Sequence, residues 1–161
     1  MILGLSLAQF TFIHVALSLI GIGAGFFVMF ELLTSRPLRI LTALFFLSTI
    51  GTSLTGFLFP NKTVTPGIVL GVLSMIVLIL ALFAKHAKKL AGPWRPTYVV
   101  SVCFAFYFNF FVLVAQAFAK VPALKQVAPT MASPAFGLAQ LVLLFIFVLL
   151  TIRAVKRYRP V

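Results

Sequence analysis

The sequence predicts an all-α integral membrane protein, one bundle of five transmembrane helices over residues 1–161, with its N-terminus outside and its C-terminus inside. Three observations carry that prediction. The chain is 63% hydrophobic and only 9% charged, whereas about a quarter of residues in soluble domains are charged, and a chain this short cannot hide so much apolar surface from water. Five apolar runs reach the roughly 20 residues that a hydrocarbon core requires. The charges between those runs fall very unequally on alternate loops.

The spans are expected near residues 7–33, 38–59, 66–84, 97–119 and 134–155. The first lacks a basic flank and runs on well past leader length, so it is read as a span preceded by a short interfacial stretch, Met1 to Ser6. Ser35-Arg36-Pro37 closes the first span and Pro60-Asn61-Lys62 the second. Gly92-Pro93-Trp94-Arg95-Pro96 separates the third from the fourth. Between the fourth and fifth, Lys120–Ser133 mixes Val, Leu and Pro with two lysines, as a turn or short helix on the membrane surface would. No interval is large enough for a soluble catalytic domain.

Five spans put alternate loops on opposite sides. Arg36, Arg39, the Lys85–Arg95 loop and the Arg153–Arg159 tail fall on one side, and only Lys62, Lys120 and Lys125 on the other. An excess of Lys and Arg in short loops marks the cytoplasmic face. Trp94, Tyr98 and Tyr158 are expected at that interface as amphipathic anchors. The net charge of +12 therefore reads as topology and headgroup contact, with no nucleic-acid partner. A lone cysteine, Cys103, permits no internal disulfide.

The first span carries the chain's only acid, Glu31, and a histidine, His14. Steps of three and four put Thr11, His14, Ser18, Gly21, Gly25, Val28 and Leu32 on one face. Small residues let helices approach closely in lipid, so Gly21 and Gly25 are read as a packing pair. His14 and Glu31 lie about 25 Å apart along that helix and point in different directions, so they are not a dyad. Glu31 is expected to form an interfacial ion pair with Arg36 or Arg39, its functional alternative being a proton or cation site. Around His14, Ser18, Thr52, Asn109, Gln116 and Gln140 reach similar depths and predict a polar layer in the outer leaflet. That layer serves as interhelical hydrogen bonding or as a ligand site, since ionisable groups within a bilayer are costly and often functional.

Several chemistries fail against this inventory. A bis-histidine haem needs a second histidine at depth, and His86 lies in a loop; a retinal Schiff base needs an intramembrane lysine. His14, Cys103 and Glu31 are separated in depth, so no metal site is expected. No P-loop, GxGxxG or CxxC is present, nor any nucleophile–base–acid set.

Gly92, Trp94, Arg95 and Tyr98 form a G-x-W-R-x-x-Y element, and Val114, Gln116–Phe118, Lys120–Pro122 and Leu124 form V-x-Q-A-F-x-K-V-P-x-L. Through these the C-terminal half resembles a group of small bacterial inner-membrane proteins with no assigned activity. The resemblance implies the bacterial inner (plasma) membrane and adds no site residue. The function expected is non-enzymatic, as a small subunit or accessory protein of a membrane assembly with a membrane-protein partner or further copies of itself. The alternative is a carrier or binding protein for a quinone, lipid or isoprenoid around His14. Proton or ion conduction through Glu31 is the third and weakest.

Overall fold

The structure, a computed structural model, describes residues 2–60 and 63–160. Five of its helices are long and apolar enough to cross a membrane: α1 (Leu7–Thr34), α2 (Arg39–Phe57), α3 (Pro66–Leu82) with the π-turn that continues it to Ala87, α4 (Trp94–Lys120) and α6 (Pro134–Arg157), with the short α5 (Pro122–Val127) between the last two. Among the described residues there is no β-strand, only an isolated bridge between Ile2 and Leu5.

Local chemistry explains the boundaries. Ser6 and Gln9 form a reciprocal capping box that starts α1 and satisfies two of its free N–H groups. Ser35, in the left-handed region at φ 58°, ends it and returns its N–H to the Glu31 carbonyl. Thr65 caps α3 and Pro66 takes its first position, where the missing N–H costs nothing. Beyond Leu82 the same helix widens into a π-turn, Phe83–Ala87, and Gly92 at φ 52° turns the chain into α4.

α1 packs on α2, α2 on α3, α3 on α4, and α4 closes back on α1; α6 lies outside this ring against α4 and α1. One end of the bundle gathers the Arg36 turn, the π-turn with its loop and the C-terminal tail, and is called the basic end. There the core is dense: Leu32, Phe45, Leu78, Tyr98, Val99 and Val102 are all fully buried. The paired glycines make this packing possible. A Cβ on Gly25 would sit 2.3 Å from the Phe106 ring, and one on Gly21 would meet the Thr49 and Ser48 hydroxyls at 3.1 and 3.2 Å. Gly25 thus admits α4 and Gly21 admits α2, which is the close approach that small residues permit.

Two expectations about the basic end change. Tyr98 is 0% and Tyr158 4% exposed, so neither is a headgroup anchor; both are core residues, their rings tilted together at 5.9 Å. Trp94 is half-buried, edge-on to Phe83, with Lys88 over its ring. Arg95 donates from one guanidinium nitrogen to the Val155 and Tyr158 carbonyls, and the Arg159 N–H donates to Ser35 Oγ. The tail after α6 is thereby tied to both α4 and the α1–α2 turn.

Candidate functional site: a cavity between α1, α2, α3 and α4

Toward the other end the same four helices separate and leave a cavity of about 610 Å³. Its walls come from Thr11–Ile22 of α1, Thr52–Phe59 at the end of α2, Thr65–Ser74 of α3 and Phe108–Lys120 of α4. Its lining mixes small residues, among them Ser18, Gly56, Gly71 and Ala117, with larger ones such as Leu19, Phe59 and Phe108. The volume falls inside the roughly 300–1,000 Å³ typical of small-molecule sites.

Five sequence candidates meet here: His14, Ser18, Thr52, Asn109 and Gln116 all line the cavity. Asn109 and Gln116 share a face of α4, as their spacing of seven requires; Asn109 donates from Nδ2 to Thr49 Oγ1 at 3.2 Å. The sixth candidate does not join them. Gln140 faces α4 from α6, where its Nε2 donates to the Phe111 carbonyl at 3.1 Å. Its depth was legible, but α6 stands outside the ring, so that depth does not reach the cavity.

His14 is oriented from behind. Its Nδ1 lies 2.8 Å from Thr55 Oγ1, and that hydroxyl also lies 2.7 Å from the Gly51 carbonyl. The Thr55 hydroxyl has one proton, and a carbonyl can only accept it. Thr55 must therefore accept from His14 Nδ1–H, which leaves Nε2 of the neutral ring as a free acceptor. The Phe59 ring stands edge-on to the imidazole at 5.2 Å.

Two hydroxyls in the lining are unusual. In Thr11, Ser18, Ser53 and Thr55 the hydroxyl donates to the carbonyl one turn back, the ordinary solution for such residues within a helix. The Thr52 and Ser74 oxygens are buried and have no hydrogen-bond partner among the described residues. Sequence reasoning found Thr52 and missed Ser74, because the third span reads as almost wholly apolar. The signal was present in the steps Gly67, Gly71, Ser74, the same small-residue stripe that marks α1. Lys120 at the mouth was noted only as a loop charge, yet it is the one Lys, Arg, Asp or Glu in the lining.

Glu31 lies apart from all this, at the basic end. The expected ion pair does not form: Arg36 and Arg39 are exposed, while the carboxylate is buried and accepts from the Leu38 N–H at 3.1 Å and the Thr42 hydroxyl. The physical reason is the turn. Ser35-Arg36-Pro37 brings the N-terminus of α2 back under α1, and the free N–H groups and positive dipole end of a helix attract a carboxylate. The chain's only acid thus caps α2 from the preceding helix.

Among the described residues no group of three or more His, Cys, Asp or Glu could hold a metal. A second, apolar groove of about 170 Å³ runs between α4 and α6, past Cys103, Tyr107, Phe147 and Thr151. No family model, curated protein or solved structure matches this chain.

Proposed function

We propose that this chain is a multi-pass membrane protein, its basic end toward the cytoplasm, that binds an amphipathic small molecule between α1, α2, α3 and α4. The observation that carries the reading is the cavity itself, about 610 Å³ in a bundle whose other half is close-packed. Small-molecule sites are clefts of about this size with a few polar groups in a largely apolar wall, and the two buried hydroxyls beside this one are costly while they have no partner. Charge asymmetry between the loops supports the orientation, and the resemblance of the C-terminal half supports a bacterial inner membrane. The reading is one of binding, supported by a lining that sets hydroxyls, two amides and one imidazole along a largely apolar wall. The exposed apolar sides of α3 and α6 suit acyl chains as well as a partner subunit, and the cavity is the observation that favours the binding reading over the subunit reading.

Purification in mild detergent, solvent extraction and mass spectrometry test this. The wild type should carry an amphipathic molecule in near one-to-one ratio, reduced several-fold in His14→Ala. Extracts no different from detergent blanks, with no thermal shift on adding total membrane lipid, would sink the reading.

A further inference from the structure

Resting on the binding reading above, we propose that the cavity takes an uncharged, carbonyl-bearing ring with an apolar tail, the chemistry of a membrane quinone, and that the ring enters first. The depth of the polar groups sets the direction. Ser74 lies about 12 Å beyond the start of α3, and Asn109 about 16 Å in from Lys120, at about 1.5 Å per residue. Between the mouth and this floor the walls are largely apolar, with Val15, Leu19, Ile68, Val112 and Leu113 facing the space.

A fatty acid or phospholipid with its tail inserted would set methylenes against the hydroxyls of the floor. Ser74 is 4% exposed, and neither it nor Thr52 has a hydrogen-bond partner among the described residues. Each has one proton to donate, and neither gives it to the carbonyl one turn back, as Ser53 and Thr55 do. What they lack is an acceptor. Both oxygens are covered as the side chains stand, so binding includes a rotation about χ1 that turns them to a ring carbonyl, which supplies one. Asn109 adds an amide donor along the same wall, whereas the free Nε2 of His14, an acceptor, makes no hydrogen bond to a ring carbonyl.

Charge excludes the other headgroups. The lining holds one formal charge, Lys120 at the mouth, so an anionic or zwitterionic head at the floor would be buried without a counter-charge. A neutral head meets no such cost. Its tail then runs back along the apolar walls toward the mouth.

The test is native mass spectrometry of the full chain in mild detergent, titrated with decylubiquinone and separately with oleate. One decylubiquinone should bind per chain, at least tenfold more tightly than oleate. Ser74→Ala should weaken it about tenfold, and Thr52→Val likewise. The ligand-free Ser74→Ala protein should melt no lower than wild type, because the lost hydroxyl had no partner. A lower melting point accompanied by lost binding would make Ser74 a packing residue and overturn the assignment. Decylubiquinone binding untouched by both substitutions would overturn it too, with water as the partner of the two hydroxyls. Tight oleate binding that is lost in Lys120→Gln and kept in Ser74→Ala would put a charged head at the mouth, overturning this proposal while the binding reading stands. If neither probe binds the proposed class is wrong, and the presence or absence of a co-extracted molecule then decides separately whether the binding reading survives.

Discussion

Both halves of the ring are built from the same four helices, and they solve their polar groups in opposite ways. In the basic half, large side chains meet glycine: Phe106 lies on Gly25 and is itself wedged among Phe26, Phe45, Phe110 and Phe147. The polar groups there mostly find partners, Glu31 at the head of α2 and Arg95 on the carbonyls that end α6. In the cavity half the helices leave open space, and two buried hydroxyls go without a partner among the described residues. The contrast has one exception, the Tyr98 hydroxyl, which is also buried and unpartnered at the basic end. Glycine therefore has no fixed meaning in such a bundle. At Gly25 and Gly71 a phenylalanine ring, Phe106 and Phe57 respectively, occupies the place a Cβ would take, whereas at Gly56 the atom nearest that place is His14 Cε1 at 3.5 Å.

The comparison breaks most visibly at Glu31. Glu31→Ala should strip the Leu38 N–H and the Thr42 hydroxyl of their acceptor and cost about 3 kcal/mol, since hydrogen bonds to a charged group contribute about 1.5–3 kcal/mol. Glu31→Gln keeps an acceptor oxygen and should cost less; melting curves in detergent separate the two, and equal losses would refute the capping role. Next in size is the response to added volume. Gly25→Ala should destabilise by about 1–3 kcal/mol through overpacking, because the surrounding rings leave Phe106 nowhere to move. Ser18→Leu, a larger addition, should raise the melting point or leave it unchanged while displacing any co-extracted molecule. Similar losses from both would mean that the halves are equally packed.

The smallest effect expected is with pH. Burial, helped by the charge of Glu31, pushes the Tyr158 phenol up to about 12. Its folded pKa is raised, so its contribution is complete below the ordinary value of about 10 and is lost as pH rises toward 12. Tyr158→Phe should flatten that part of the pH profile of the melting point, and an unchanged profile would place the phenol in water.

The fold was largely legible because lipid-length apolar runs and Pro/Gly punctuation are local signals. Each expected span lies within a few residues of an observed helix, the largest difference being the extra turns at Trp94 and after Ala84. The cavity was half legible. His14, Ser18, Thr52, Asn109 and Gln116 could be grouped by depth, which chain position supplies. Which helices surround that depth is a matter of packing order, and so Gln140 was included and Ser74 was not. Glu31 shows the same limit. Its neighbours in sequence are arginines, but the turn at Ser35 delivers a helix end in their place.

The π-turn and the start of α4 hold the chain's single tryptophan, Trp94, against Phe83 and beneath Lys88. Along α4 it stands about 22 Å from Asn109 at about 1.5 Å per residue. The tryptophan emission of this protein therefore originates wholly at its basic end. It is a built-in gauge of melting in the close-packed half, while occupancy of the cavity calls for a reporter installed near Gln116.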